Sequence, residues 1–331
     1  MKKGVQKNIK KILWLVDPYE ELKTIKPSAL WVKALSDRLQ VPIQPVHVLA
    51  GGAAGFAPEI HAAWLMQFVI DTEERLVSVL QALKMPRLLK PHVISEVYHS
   101  RSDAVQGLLD YARDNHAGLI LLQRSGSKAK IGGFAETLLL KSETPVLVVP
   151  SEKPLQAKVK KLLVALDLSR PATERMGGVA SEVFEQALVW ARQLGASIHL
   201  FHVLPIPPAM AYGPGAFDLG ATAAAAAYWS QDAAKMRRQE LERFQKRALK
   251  AGVGCTVELE TRPLRPEEAI LRARSRSQAD WIVMAGRSGR WSTLLLGSVT
   301  RSVARQAPCP VWIIHRSRLR EQHLISHRQA A

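Results

Sequence analysis

The chain has 331 residues, of which 47% are hydrophobic and 23% are charged, and its formal net charge is +17. This length suits about two domains of average size, and the composition is that of an ordinary globular protein. No apolar run reaches the ~18–20 residues that cross a bilayer, and the N-terminus has no signal-peptide pattern, so we expect a cytoplasmic protein.

Short apolar runs alternate with helical patterns along the first half of the chain. The pattern predicts strands over residues 11–17, 45–49, 117–124 and 144–149, and helices that include residues 28–39 and 61–83. The apolar stripe of the first helix is predicted to hold Leu30, Ala34, Leu35 and Leu39. The strands are continuously apolar, which is typical of parallel strands that are buried on both faces.

The second half of the chain repeats the first in the same order. Residues 11–17 match 161–167, residues 45–49 match 200–204, residues 117–126 match 280–289, and residues 144–149 match 309–314. A helix is predicted over residues 182–194, with Phe184, Leu188, Ala191 and Leu194 on its apolar stripe and Gly195 as a left-handed cap. The sequence therefore predicts two tandem α/β domains, each with a doubly wound parallel sheet. Their bounds are residues 1–150 and 161–315, with a linker over residues 151–160 and a basic tail over residues 316–331.

A glycine-rich stretch after the fourth strand of the second copy is the most informative motif. Gly286 and Gly289 follow the strand, and Gly297 and Ser298 open a helix that runs to about Gln306. Glycines let the main chain approach a ligand, and the N–H groups at a helix start favour phosphate. Asp167 ends the first strand at the same edge of the sheet. These glycines and Ser298 are also compatible with ordinary turns and a helix cap.

The whole chain resembles a tandem universal stress protein, which implies a Rossmann-like fold of the adenine nucleotide alpha hydrolase type. The ATP-binding branch of that family carries G-x2-G-x9-G-[S/T] between its fourth strand and its last helix. Gly286 and Gly289 match the first half of this motif, and Gly297 with Ser298 matches the second half. Seven residues rather than nine separate Gly289 from Gly297. The resemblance implies ATP or another adenine nucleotide as the ligand, with or without Mg²⁺.

The same resemblance assigns the individual site residues. Asp167 matches the family's aspartate at the end of the first strand, and Val203 matches an adenine-side residue after the second strand. The residues that would wrap the ribose and phosphates are Ala285, Gly286, Arg287, Ser288 and Gly289, and those that would hold the phosphate tail are Gly297, Ser298, Val299 and Thr300. In the first copy Asp17 is kept, but Gln123 is aligned with Gly286, so weak or lost nucleotide binding is expected there. Arg124 and Arg287 are aligned with each other, as phosphate partners or as surface arginines.

Other candidate residues favour structural roles. His47, His202 and His315 are interpreted as strand or strand-end histidines rather than metal ligands, and Cys255 and Cys309 as small core residues. The sequence has no Ser/His/Asp order, no HExxH motif and no Walker A lysine, so a dedicated enzyme is not predicted.

Three functional hypotheses remain open. The leading hypothesis is a nucleotide-binding regulatory module. The second is an interaction protein whose basic surface binds nucleic acid or an acidic partner, although no aromatic residues interleave with the arginines of the tail. The third is a slow ATP hydrolase with Asp167 near a metal ion. For the assembly, residues 146–149 and 311–314 are expected to pair either within one chain or across a homodimer.

Overall fold

The computed structural model describes residues 10–49, 58–85, 89–95, 101–124, 133–150, 158–168, 178–204, 219–262, 264–286 and 297–315. The chain divides into two compact units. The first unit contains the residues up to Lys158 together with those from Gly289 onward, and the second unit contains Val159–Ser288.

The first unit is a sheet with helices, in the alternating order that the sequence predicts. Its elements are β1 (Ile12–Leu15), α1 (Leu22–Leu39), β2 (Ile43–Val48), α2 (Pro58–Ala82), β3 (His92–Ile94), α3 (Arg101–Asp114), β4 (Leu119–Arg124), α4 (Gly133–Lys141) and β5 (Val146–Pro150), joined by α8 (Ser298–Gln306) and β10 (Val311–Ile314). The strand order in this unit is β3-β2-β1-β4-β5-β10. All the pairs from β3 to β5 are parallel.

The second unit contains the remaining elements of the repeat. They are β6 (Lys161–Ala165), α5 (Val179–Leu194), β7 (Ser197–Val203), α6 (Leu219–Lys250), β8 (Cys255–Glu260), α7 (Pro266–Ser277) and β9 (Trp281–Ala285). The strand order is β9-β6-β7-β8, and every one of these pairs is parallel. The predicted parallel α/β architecture is confirmed in both units.

The central strands of each unit form its core. Residues 119–122 of β4 and 281–284 of β9 are all buried, in line with the continuous apolar runs of the sequence. Cys255 and Cys309 are buried and carry free thiols, which confirms their interpretation as core residues. None of the described helices is long and apolar enough to span a membrane.

The last strand pairs within the chain. β10 runs antiparallel to β5, with Val311 opposite Val148 and Ile313 opposite Val146. All residues of both strands are buried. The edge of the parallel sheet in the first unit is therefore covered by a strand that the sequence assigns to the second repeat.

The first helix differs from its prediction. It begins at Leu22, upstream of the predicted stretch 28–39, and Pro27 lies inside it. Its buried face is set by Ile25, Ala29, Val32 and Leu35, and Leu30 is 52% exposed. Leu30 is two residues from Val32, roughly 200° around the helix at about 100° per residue, so it cannot share that face.

The helix of the second copy is closer to its prediction. α5 buries Phe184, Ala191 and Leu194 as expected, but Ala187 is buried where Leu188 was predicted. Gly195 adopts a left-handed conformation with φ 61°, and its N–H donates to the carbonyls that end the helix, so the predicted cap is confirmed.

Candidate functional site

Three of the predicted site residues lie at one level of the sheet in the second unit. Ala165 of β6 pairs with Phe201 of β7 and with Met284 of β9. Two residues farther along these parallel strands are Asp167, Val203 and Gly286. Since β6 lies between β7 and β9, Asp167, which follows β6, is the central one of the three. Asp167 is exposed, Val203 is half-buried and Gly286 is buried.

A buried histidine forms a hydrogen bond to the main chain at this strand end. His202 is 3% exposed, and its Nδ1–H donates to the carbonyl oxygen of Leu166 at 2.9 Å. Burial lowers the pKa of His202, so the ring is neutral near pH 7. The bond holds the carbonyl that immediately precedes Asp167. His47 makes the same bond to the carbonyl of Val16 at 2.9 Å in the first copy.

These bonds confirm both histidines as structural strand-end residues. His315 likewise donates from Nε2 to the carbonyl of Leu139 at 2.8 Å. Within the described ranges, no group of three or more His, Cys, Asp or Glu residues is placed to hold a metal ion.

The second half of the glycine motif begins a helix, as predicted. Gly297 precedes α8, and the N–H of Arg301 donates to its carbonyl at 3.0 Å as the first bond of the helix. The first turn has no acidic residue and no side-chain cap. The helix dipole at this end therefore favours an anion. Ser298 is exposed, Val299 is half-buried and Thr300 is buried. These residues belong to the first unit.

The remaining predicted residues lie only in part within the described ranges. Ala285 is the last residue of β9 and is half-buried. Arg287, Ser288 and Gly289 lie outside the described residues, as does the loop from Gly289 to Gly297 whose length departs from the family motif.

The register of β4 corrects the alignment of the two copies. The N–H of Gly118 donates to the carbonyl of Lys11 at 3.0 Å, and the N–H of Asp280 donates to the carbonyl of Lys161 at 2.9 Å. Lys11 and Lys161 are equivalent, so Gly118 is the counterpart of Asp280. The alignment of Ala117 with Asp280 is therefore wrong by one residue.

This shift changes two site assignments in the first copy. Arg124, not Gln123, stands at the position of Gly286, and Gln123 stands at the position of Ala285. The equivalence of Arg124 with Arg287 is likewise wrong. The first copy still departs from the glycine motif, because it has an arginine at the position where the second copy has a glycine.

Arg124 donates to the C-terminal end of a helix. Its side chain is buried, and Nη1 donates to the carbonyl oxygens of Ala304, Arg305 and Ala307 at 2.5–3.2 Å. These carbonyls end α8, where the helix dipole favours a positive charge. The guanidinium therefore fixes the C-terminal turn of this helix to β4.

The first copy has a cavity at the carboxyl ends of its strands. The cavity has a volume of about 260 Å³ and is lined by Asp17, Glu20, His47, Gln123 and Phe134, among others. Asp17, His47 and Gln123 are among the residues to which the sequence motifs pointed, whereas Glu20 and Phe134 are not. Glu20 follows Asp17 by one short turn, so a second carboxylate at a strand end was the signal available for it.

Comparison with known proteins identifies the family. A model of the universal stress protein family matches residues 8–150 and again residues 158–315. A universal stress protein from Archaeoglobus fulgidus DSM 4304 is 21% identical, with a TM-score of 0.61 over 92% of this chain and 96% of its own. Another from Archaeoglobus fulgidus, solved in complex with dAMP, is 22% identical over 47% of this chain and 96% of its own, and its TM-score of 0.30 supports no inference about this chain.

One curated relative matches a short segment. This is the universal stress protein in QAH/OAS sulfhydrylase 3'region of Thermus aquaticus, which is 47% identical over 51 residues. The match covers 15% of this chain and spans 37% of the relative's length. The family model, in contrast, covers most of the chain in two consecutive copies. The chain belongs to the universal stress protein family and carries two of its domains in tandem.

Proposed function

We propose that this chain is a regulatory protein that binds an adenine nucleotide through its second copy. The observation that carries the proposal is that Val203 ends β7 while Asp167 and Gly286 follow β6 and β9, so all three stand at the carboxyl ends of adjacent strands. In parallel sheets, ligands bind at the carboxyl ends of the strands. An exposed carboxylate at this level accepts hydrogen bonds from ribose hydroxyls, and Gly286 has no Cβ to keep a ligand from the main chain.

The phosphates are assigned to the second half of the motif. Gly297, Ser298, Val299 and Thr300 supply main-chain N–H groups at the start of α8, and the helix dipole adds to their attraction for phosphate. Ala285 and Gly286, followed by Arg287, Ser288 and Gly289, are assigned to the ribose and the nearer phosphates by the family motif. Mg²⁺, when present, accompanies the phosphates.

In this proposal, binding of the nucleotide regulates the protein, and no reaction of the nucleotide is required. A nucleotide that binds one conformation better than another shifts the population of conformations, and the shift changes the surface presented to a partner. The same variants also test whether Asp167 has a role in ATP hydrolysis. An Asp167→Asn protein that hydrolyses ATP as fast as the unsubstituted protein removes any role of Asp167 in such a reaction.

The experiment measures nucleotide release and nucleotide binding. Purified protein is denatured and the supernatant is analysed for ATP, ADP and AMP, and titration calorimetry then uses ATP, ADP, AMP and dAMP. We expect Asp167→Asn to weaken ATP binding about 10- to 100-fold, since a hydrogen bond to a charged group is worth about 1.5–3 kcal/mol. Gly297→Asp should abolish binding because its carboxylate opposes the phosphates, while Asp remains a good helix cap.

The chain provides a matched control. Asp17→Asn makes the same change at the equivalent strand end of the first copy and should leave ATP affinity unchanged. Loss of ATP binding in both Asp167→Asn and Gly297→Asp supports the assignment of both segments to the nucleotide. Protein that releases no nucleotide and shows no thermal shift with millimolar ATP contradicts the proposal.

A further inference from the structure

A hydroxyl, an imidazole and a carboxylate form a hydrogen-bonded row on two strands of the second unit. The Oγ1 of Thr256 on β8 lies 2.8 Å from Nδ1 of His199 on β7, and Nε2 of the same ring lies 3.0 Å from Oε2 of Glu258. Enzymes that use a hydroxyl nucleophile activate it with an adjacent base that a third group orients. The three side chains therefore have the contacts that such a nucleophile needs.

The register of the sheet brings these side chains together. His199 is paired with Thr256 across β7 and β8, so the two side chains lie on one face, and Glu258 follows on that face two residues later. Thr256 and Glu258 are 57 and 59 positions away from His199 in the chain, so no short sequence motif contains all three. His199 and Thr256 belong to the first halves of their strands, whereas the nucleotide is assigned to the carboxyl ends. The row is thus separate from the proposed nucleotide site.

Glu258 determines which ring nitrogen of His199 carries the proton. A carboxylate only accepts hydrogen bonds, so Nε2 donates to Glu258, and Nδ1 of the neutral ring is left with a lone pair. Thr256 then donates its hydroxyl hydrogen to Nδ1. The other oxygen of Glu258, Oε1, accepts from the guanidinium of Arg276 on α7, which holds the carboxylate in place. His199 is therefore oriented as a base for the Thr256 hydroxyl.

The nucleophile is open to solvent, while its base is shielded from it. Thr256 is exposed and Glu258 is half-buried, but His199 is only 9% exposed. A small molecule can therefore reach Oγ1 of Thr256 directly. The contacts that orient the imidazole lie behind the hydroxyl and are protected from competing water.

The edge of the sheet offers a main-chain donor next to Thr256. β8 is the last strand in the order β9-β6-β7-β8, and the carbonyls of Gly254 and Glu260 accept hydrogen bonds from β7. Main-chain groups alternate sides along a strand, so the N–H of Val257 points away from β7, toward an edge that has no neighbouring strand among the described residues. A donor in this place stabilises the negative oxygen that forms when a hydroxyl attacks an acyl carbonyl.

We propose that Thr256 is an acylation site, at which the hydroxyl takes the acyl group from small activated acyl esters and thioesters. Oγ1 attacks the carbonyl carbon while Nδ1 of His199 takes the hydroxyl proton, and the negative oxygen accepts from the N–H of Val257. The bond from the carbonyl carbon to the leaving group then breaks, and the leaving group takes the electron pair and the proton from His199. The products are an ester on Thr256 and the free alcohol or thiol, with no change in oxidation state.

The test treats the full chain with p-nitrophenyl acetate and follows the release of p-nitrophenol. Peptide mass mapping should find an acetyl group on Thr256 that hydroxylamine removes, because hydroxylamine cleaves esters and leaves the amides of acetylated lysines intact. Thr256→Val keeps the shape of the side chain and should lose this label, whereas Thr256→Ser should keep it. Thr137 is the internal control, since its hydroxyl donates to the carbonyl of Gly133 at 2.8 Å, and it should stay unlabelled.

The roles of His199 and Glu258 are measured by the rate of labelling at Thr256. His199→Ala should slow labelling about 100-fold, and added imidazole should restore part of the rate because it enters the space that the ring leaves. Glu258→Gln should slow labelling about tenfold when His199 is present and should have no further effect in the His199→Ala background, since Glu258 acts through His199. A purely structural role of Glu258 predicts the same loss in both backgrounds.

Thr256 is on the surface, so its two variants should fold normally and carry the test if His199→Ala does not fold. Unfolding midpoints are compared for all variants. Thr256→Val should leave ATP binding unchanged, and ATP should not alter the labelling of Thr256, so this proposal and the proposed function fail separately. Absence of an ester on Thr256, equal labelling of Thr256 and Thr137, or an unchanged rate in folded His199→Ala overturns the proposal.

Discussion

Replacing Arg124 by alanine should loosen the end of the last helix. Its Nη1 donates to three carbonyls at the C-terminal turn of α8. One NH₂ group has two hydrogens, so the three contacts count as about two full hydrogen bonds from a charged group, worth about 1.5–3 kcal/mol each. Part of this loss is offset because the substitution also removes a buried charge that was costly to desolvate. We expect Arg124→Ala to lower the free energy of unfolding by about 2–4 kcal/mol.

Hydrogen exchange and urea unfolding measure this effect together. The amides of α8 and β10 should exchange faster in Arg124→Ala, whereas those of β1 and β2 should change less. Arg124→Lys keeps the charge, but its shorter side chain cannot place the ammonium where Nη1 lies, so an intermediate loss is expected. Arg113→Ala is the control, because Arg113 is also an arginine near a helix C-terminus but its side chain is 70% exposed, and no measurable change is expected. Native exchange rates in α8 together with native stability in Arg124→Ala would refute the reasoning.

Two further predictions concern the second unit. Arg262 holds the pKa of Glu260 at about 2, below its ordinary value of 4.5, so Glu260 stabilises the fold above about pH 4.5 and this contribution is lost as the pH falls toward 2. Glu260→Gln should cost on the order of 1 kcal/mol at pH 7, and urea titrations should show the two proteins converging by pH 2; a constant gap speaks against the pairing. Burial raises the pKa of Cys255 to about 11, and Cys309 is buried as well, so neither thiol should react with a disulfide reagent at pH 8 until the protein unfolds. Rapid labelling of Cys255 in native protein, detected by peptide mass mapping, would contradict its burial.

The architecture could be predicted because both copies show the same local sequence patterns for strands, helices and helix ends. Continuous apolar strands, a glycine cap at Gly195 and a helix beginning at Ser298 all appear where the sequence places them. Each depends on residues that are close together in the chain. α1 extends upstream of the apolar pattern over residues 28–39 that predicted it, and Pro27 lies inside the helix.

The details of the candidate site depend on the register of the sheet. The similar sequences around Arg124 and Arg287 suggested an alignment of the two copies. The main-chain hydrogen bonds of Gly118 and Asp280 correct this alignment by one residue. Sequence similarity in a loop does not determine the register of the neighbouring strand, whereas the hydrogen bonds between strands do. The partner of Arg124 is about 180 positions away in the chain, and no local pattern predicts such a contact.

The pairing of β5 with β10 also sets an order of events during synthesis. β5 is complete early, but its antiparallel neighbour is made roughly 160 residues later, which takes roughly 10–30 s at ~5–20 residues per second. Throughout that interval an apolar strand edge of the nascent chain has no permanent neighbour and is exposed to pairing with other chains. A premature stop before Val311 would leave that edge uncovered for good. Nascent chains of this protein should therefore depend on chaperones most strongly in the window between the two strands.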